Sequence, residues 1–295
     1  MTEDPPRSKS VVMTVFGDAV LPHGGSAWLG SLIDLLAPFG INDRLVRTSV
    51  YRLAEEGWLE ASRNGRRSLY RMTPSGRRRI ERADQRIYSQ PAPEWDGRWT
   101  LVLSAPEIIS AGQRAALRKE LLWEGFGTTA PGIFVHPTGK QAALEEILAR
   151  VDVAGKVFVC SASQSEHIHS RSLSDLVAHC WPLDRIIAGY QQFIARFEPL
   201  RKLASRKSAP DPQLAFVVRT LLAHAYRRVQ LHDPQLPLAL LPASWPGTTA
   251  WQLSRDIYRL IHKEAGTFII DTLRKEEPAV AAAAPSFYQR FGGLD

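Results

Sequence analysis

The dipeptide Asn64-Gly65 constrains this chain more than any other feature. It lies between Trp58-Leu59-Glu60-Ala61-Ser62-Arg63 and Ser68-Leu69-Tyr70-Arg71-Met72, two short runs that read as strands. Asn-Gly tolerates the positive φ values of a tight two-residue turn, so the segment is predicted to fold as a β-hairpin. A lone hairpin is marginal in water and needs an apolar partner. The preceding residues supply one. Val46, Val50 and Leu53 fall at i, i+4 and i+7, predicting a helix from about Arg44 to Glu56, with Asn42 and Asp43 as capping residues and Gly57 closing it. Further upstream, Ser26 is the candidate N-cap of a helix in which Trp28, Leu29, Leu32, Ile33, Leu35 and Leu36 recur at helical spacing, ended by Pro38 and Gly40. Val11 to Leu21 predicts a first helix with Val11, Val12, Val15 and Phe16 facing inward, stopped by Pro22 and Gly24-Gly25. Two helices joined by a short glycine-containing turn and followed by a hairpin make a winged helix-turn-helix.

Charge is concentrated in the same segment. The chain carries a net charge of +7, and Arg7 to Arg86 holds fourteen Lys or Arg against eight Asp or Glu, which is +6 of that total. Such an asymmetry points to a polyanion. At 100° per residue Arg44, Thr48, Tyr51 and Arg52 point away from the apolar stripe of the third helix, and Arg47 lies on its flank. An arginine can pair with guanine O6 and N7 in the major groove, whereas Thr and Tyr hydroxyls more often fix register on phosphates. Arg63, Arg66, Arg67 and Arg71 crowd the hairpin, which then serves as the wing. An arginine-rich hairpin alone reads as a solvated surface; joined to the helix pair it reads as an interface for double-stranded DNA. Thr73-Pro74 opens another basic helix through Arg77, Arg78, Arg79, Arg82 and Arg86, predicted to link the head to the rest.

Ser89 to Gly97, with Pro91 and Pro93, reads as a linker. Beyond it the pattern is strand (Trp99 to Ser104), helix (Gln113 to Trp123), strand (near Gly125 to Thr129), strand (Gly132 to His136), helix (Gln141 to Arg150) and strand (Lys156 to Ser161), a ferredoxin-like β-α-β-β-α-β sandwich. Helices are predicted near Leu183 to Leu203, Gln213 to Leu231 and Trp251 to Leu273. The expected fold class is α+β: a winged helix-turn-helix over 1–88, a ferredoxin-like middle domain over 95–180, a helical domain for effector binding and dimerisation over 181–275, and a flexible tail over 276–295.

Several function classes are disfavoured. No run of about 18 apolar residues occurs, and Met1 to Ser10 lacks the apolar stretch of a signal peptide, so a cytoplasmic protein without membrane attachment is expected. Cys160 and Cys180 form no CxxC pair, and His167 with His169 has no third ligand nearby, so neither a disulfide framework nor a metal site is expected. The chain has no GxSxG, no P-loop and no GxGxxG opening a helix after a strand. The ferredoxin-like domain also resembles that of CRISPR-associated nucleases, but metal-dependent phosphodiester chemistry needs carboxylates, and the first strand is followed by Ser104-Ala105-Pro106-Glu107, leaving only Glu107. The rival readings are therefore a nucleic-acid-processing or acyl-CoA-dependent enzyme with a DNA-binding head, and a nucleic-acid binder without ligand control. Roughly two hundred residues beyond the head exceed what DNA grip requires, which favours ligand sensing and dimerisation.

Local motifs in all three parts resemble the PaaX family, the phenylacetic acid catabolism repressors. In the head they are Arg47-Thr48-Ser49-Val50-Tyr51-Arg52-Leu53, Glu56-Gly57-Trp58-Leu59 and Tyr70-Arg71-Met72-Thr73-Pro74-Ser75-Gly76. In the middle they are Trp95-Asp96-Gly97-Arg98-Trp99, Leu117-Arg118 with Gly125-Phe126-Gly127, and Pro131-Gly132-Ile133-Phe134-Val135. The most distinctive are Asp233-Pro234-Gln235-Leu236-Pro237 and Leu240-Leu241-Pro242-Ala243-Ser244-Trp245-Pro246-Gly247. The resemblance implies a homodimeric repressor, not an enzyme, without cofactor, bound to operator DNA and released by an acyl-CoA effector, typically phenylacetyl-CoA or a related aryl-CoA. Ser49, inside the first motif, joins the DNA-binding set. A coenzyme A ligand calls for basic side chains beside an apolar pocket, and Arg185, Arg196, Arg201, Lys202, Arg219, Arg227 and Arg228 with Trp181, Tyr190, Trp245, Trp251 and Tyr258 supply more candidates than one site needs, so none is assigned.

Overall fold

The computed structural model describes residues 8–89, 94–105, 107–139, 141–163, 172–204 and 210–294, the side chains of 202–204 excepted. Pro91, Pro93, Pro106, His167, His169 and the Lys202 side chain lie outside the described residues. In chain order the elements are α1 (Ser8–Val15), β1 (Ser26–Trp28), α2 (Leu29–Leu36), α3 (Asp43–Glu55), β2 (Leu59–Asn64), β3 (Arg67–Met72), α4 (Pro74–Tyr88), β4 (Arg98–Leu103), α5 (Ala111–Trp123), β5 (Gly127–Ala130), β6 (Ile133–His136), α6 (Gln141–Arg150), β7 (Phe158–Ser163), α7 (Leu173–Cys180), α8 (Leu183–Ala204), α9 (Pro212–Gln230), α10 (Gly247–Arg274) and α11 (Pro285–Tyr288). The chain forms two compact units. One comprises Met1–Gln90, Gln191–Leu231 and Thr249–Asp295, the other Pro91–Tyr190 with His232–Thr248.

In the first unit the order α1-β1-α2-α3-β2-β3 and a three-stranded antiparallel sheet, β1-β3-β2, are those a winged helix-turn-helix requires. Val11, Val12, Val15 and Phe16 are buried, as their spacing predicts. The first helix, however, ends at Val15. Phe16–Val20 follows as a wider π-helical turn and Leu21–His23 as a 3₁₀ turn, a change of winding that carries Asp18 into the interior. Ser26 does not cap the second helix. Its backbone pairs with Arg71 in the sheet, and α2 starts three residues later with Trp28 at the cap position and no side-chain cap of its own. Asn42 does cap α3, its side chain accepting a hydrogen bond from the Leu45 amide at 3.0 Å.

The hairpin turn sits one residue later than predicted. Asn64 pairs with Arg67, so Gly65 and Arg66 form the loop, with Gly65 at φ +60°. A glycine at the first loop position suits a turn that needs positive φ there, whereas the expected Asn64-Gly65 loop would have spent the glycine at the second.

The C-terminal helices of the same unit close over the head. Phe39 meets Phe216 of α9 edge to face at 5.6 Å, and Phe216 in turn contacts Phe268 of α10. Thr14 Oγ1 and His224 Nδ1 are hydrogen-bonded at 3.0 Å. Asp18 is the hub. Arg219 donates to it at 2.9 Å, Arg290 at 2.8 Å, Tyr258 at 2.7 Å and Tyr88 at 3.0 Å, and Arg290 also reaches Asp84 at 3.0 Å. Burial alone would raise the Asp18 pKa, but the Arg219 and Arg290 guanidiniums outweigh it and hold the carboxyl below its ordinary range. Asp84, where burial prevails, is pushed up to about 6. The 276–295 segment, expected to be flexible, contributes buried Phe287, Arg290 and Phe291 to this cluster. Its alanine and proline content suggested disorder, but three bulky side chains are enough to anchor it.

The second unit is the β-α-β-β-α-β sandwich predicted from the sequence. Its sheet runs β5-β6-β4-β7, all antiparallel, around Val102, Leu117, Leu121, Phe126, Phe134, Leu144 and Ile147. The last strand begins at Phe158, two residues later than expected, and α7 is an addition. The distinctive Asp233-to-Trp245 segment is structural here. Asp233 accepts from the Tyr190 hydroxyl at 2.5 Å and from the Gln235 amide at 2.7 Å, and Trp245 meets Tyr190 edge to face.

Candidate nucleic-acid interface

Helix α3 buries Val46, Ser49, Val50 and Leu53 and exposes the opposite face. Arg44, Arg47, Thr48, Tyr51 and Arg52 all lie on that exposed face. Tyr51 is 62% exposed, a high value for a phenol. The Thr48 hydroxyl already donates to the Arg44 carbonyl at 2.8 Å, so toward a partner it can only accept. Ser49 is the correction. It is 3% exposed and its Oγ donates to Ser8 Oγ at 3.3 Å, because position 49 lies beside Val46, Val50 and Leu53 on the packed face. A residue so placed cannot reach a duplex.

The wing presents Arg63, Arg66, Arg67 and Arg71, all exposed. Among them Arg67 is engaged by its own chain. Its guanidinium lies 4.1 Å over the Trp28 ring, and Nη2 donates to the Glu276 carbonyl at 2.9 Å. The supporting helix α4 is capped by Thr73, whose hydroxyl accepts from the Gly76 amide at 2.9 Å, and Arg79 lies over Trp58 at 5.0 Å. Arg86, read with the basic face of this helix, is instead buried. The head thus offers a row of cationic and hydroxyl groups on α3 beside a cationic hairpin. That arrangement can bind phosphates through the wing and read base edges from the helix.

The ligand candidates sort differently. Arg219 is fully buried on Asp18, and Trp181, Tyr190, Trp251 and Tyr258 are buried in their own units, so these five belong to the core. Among the described residues no group of three or more His, Cys, Asp or Glu could hold a metal ion, and no helix is long and apolar enough to cross a membrane. Sequence reasoning missed Ser31 and Glu276, which meet at the start of α2. The Ser31 amide and hydroxyl both donate to Glu276 Oε2, at 2.8 and 3.2 Å. No local pattern could announce a cap supplied 245 residues away.

Comparison with known proteins gives a consistent answer over nearly the whole chain. Residues 7–76 match the PaaX-like protein model, residues 92–174 the PaaX protein central Cas2-like domain, and residues 181–271 the PaaX-like protein C-terminal domain. The chain is 39% identical over 294 residues to the transcriptional repressor PaaX of Escherichia coli (strain K12), covering 99% of this chain and 92% of that protein. Among solved structures it is similar to the uncharacterized protein Rv0674 from Mycobacterium tuberculosis, with a TM-score of 0.58 and 26% identity over 90% of this chain and 98% of that one. The chain belongs to the PaaX family, a family of transcriptional repressors and not of enzymes.

Proposed function

We propose that this protein binds operator DNA as a cytoplasmic homodimer, represses an aromatic-acid catabolic operon of the phenylacetate type, and is released by an aryl-CoA thioester such as phenylacetyl-CoA. The observation that carries the DNA half is the exposed row Arg44, Arg47, Thr48, Tyr51 and Arg52 on α3, set beside the exposed wing arginines. Two such heads on a two-fold axis would read half-sites about 34 Å apart, one helical turn, or a multiple of it. The effector half rests on the family resemblance. A cleft of about 370 Å³ in the second unit gives it a place to be tested, since it is lined by Arg114 and Arg118, one helical turn apart on α5, together with Thr128 and Phe134. Cations beside an apolar wall suit a thioester that carries both phosphates and an aryl group.

By linkage, a releasing ligand binds free repressor more tightly than operator-bound repressor. The test is fluorescence anisotropy of the protein on its own promoter DNA at fixed salt, titrated with phenylacetyl-CoA, other aryl-CoA thioesters and free phenylacetate. Sequence-selective binding released by one thioester is the expected result. Selective binding that no thioester relieves would remove the effector, and absence of selective binding would remove the operator reading itself.

A further inference from the structure

Three consecutive residues just past α10 grip the DNA-binding head. Lys275 pairs with Asp34 of α2 at 2.9 Å, Glu277 accepts from the Trp28 indole at 3.4 Å, and between them Glu276 lies against the first turn of α2. The first turn of a helix carries amides without intrahelical partners, together with the positive end of the helix dipole. Here the residue at the N-cap position, Trp28, makes no side-chain cap. The Glu276 carboxylate supplies one instead, taking the Ser31 amide and hydroxyl on Oε2 while Oε1 lies 3.5 Å from Arg67 Nη2. Gly30 makes the close approach possible, since a Cβ there would stand 2.7 Å from Oε2.

A helix-terminal amide, a hydroxyl and a guanidinium converging on one anion are also the donors that hold a phosphate. Their position suits one. α2 immediately precedes α3, and Arg67 opens the second strand of the wing, so the seat belongs to the same head as both elements assigned to the duplex. In helix-turn-helix proteins the first helix of the pair crosses the DNA backbone. A carboxylate held at that point would repel an approaching phosphate strand and would keep Arg67 from it. We propose that Glu276 is an autoinhibitory anion: in the DNA-free chain it occupies the α2 N-terminus and Arg67, and a backbone phosphate replaces it when the head docks. This inference rests on the DNA-binding reading of the head, and it makes the end of α10 a latch that operator binding must open.

The test uses the full chain with fluorescein-labelled duplexes, one from its own promoter and one of random sequence, at fixed low salt. Glu276→Gln keeps the shape and the acceptor oxygen but removes the charge, and should bind both duplexes about fivefold more tightly, the effect of relieving one charge at a helix terminus. In an Arg67→Ala background the same substitution should gain less, because the 3.5 Å pairing of the carboxylate with Arg67 is already absent and only its repulsion of the phosphate strand is left to relieve; the 2.9 Å bond from Arg67 to the Glu276 carbonyl is untouched by Glu276→Gln. Hydrogen exchange on the wild-type protein gives a readout independent of how the variant folds: peptides covering 270–284 should lose protection when DNA is added. Equal or weaker binding by Glu276→Gln, or unchanged protection of those peptides on DNA, overturns the latch. If the wild-type protein binds neither duplex, the DNA reading fails and the latch with it; if it binds and the variant gains nothing, the latch alone fails.

Discussion

Asp18→Asn should destabilise the first unit by about 3–5 kcal/mol, the usual cost of removing one partner from a buried ion pair. The side chains of Asp18 and Arg219 are 3% and 2% exposed, so neither charge is screened by water. Arg290, the second cation on this carboxylate, keeps Asp84 at 3.0 Å after the substitution. Arg219 keeps the Asp18 backbone carbonyl, at 3.0 Å, and the rings of Tyr258 and Phe287, each 5.4 Å away. The loss therefore falls mainly on Arg219. The asparagine amide adds a second penalty, because both carboxylate oxygens accept from donors and one of them would become a donor itself. Urea unfolding followed by far-ultraviolet circular dichroism should show the midpoint falling by about 1–2 M at an ordinary m-value. A cycle with Arg219→Met isolates the pair, and the double variant should be less impaired than the sum of the singles by about 2 kcal/mol or more. An Asp18→Asn protein within about 1 kcal/mol of wild type, or an additive cycle, would refute the claim that this carboxylate holds the head to the C-terminal helices.

Three further outcomes follow from the same geometry. Replacing Arg63 and Arg66 together by alanine should weaken binding to promoter and random duplexes alike, and should lower the slope of log K against log salt by about 0.9 for each phosphate that is no longer neutralised, read by anisotropy over a salt series. Ser49→Ala should leave DNA affinity within error of wild type, since its hydroxyl meets Ser8 and not the outer face of α3; a tenfold loss in anisotropy would contradict that placement. Burial, with Arg227 and Arg228 nearby, lowers the His224 pKa from 6.5 to about 4. A group depressed in the fold contributes stability that is present above its unfolded pKa and lost as the pH falls toward the folded one, so the wild type should lose up to about 3 kcal/mol relative to His224→Gln between pH 6.5 and pH 4. Comparing the two proteins also cancels Asp84, whose raised pKa works in the opposite direction: its contribution is present at low pH and lost as the pH rises toward 6.

What the sequence made legible is what short-range chemistry determines. The cap at Asn42, the stripe Val46, Val50, Leu53 and the glycine in the hairpin are each settled within a few residues, and α3 and the wing were readable for that reason. The alternating strands and helices of the second unit obey the same logic, because each has its own period and its own stop signal. Errors arose where a distant partner overrode the local preference. Ser26 has the chemistry of an N-cap, yet the backbone of β3 claims it for the sheet, and the cap of α2 then falls to Glu276. Ser49 sits in a motif that reads as contact surface, but a helix has one packed side, and a short side chain next to Val50 belongs to it. Arg219 reads as one of many candidate ligand cations and Arg290 falls in a tail expected to be flexible, yet both meet the buried Asp18 carboxylate in the turn Phe16–Val20.

The two long-range contacts have opposite energetic characters, and this bears on how the head could respond to the rest of the chain. The Asp18 cluster is nearly dry, and opening it would leave an unpaired charge in the interior, so it must persist whether or not DNA is bound. The Glu276 contact is 27% exposed on the carboxylate side and 48% on the arginine side, so water can replace either partner at small cost. A joint that must stay closed and a latch that can open thus connect the same head to the same C-terminal helices. Any ligand that shifts the end of α10 relative to α2 would change the second without disturbing the first. Bound-state exchange data should therefore show protection lost around residues 270–284 while the peptides containing Asp18 and Arg219 remain protected; simultaneous deprotection of both would mean that the head detaches as a whole, and the distinction between joint and latch would not hold.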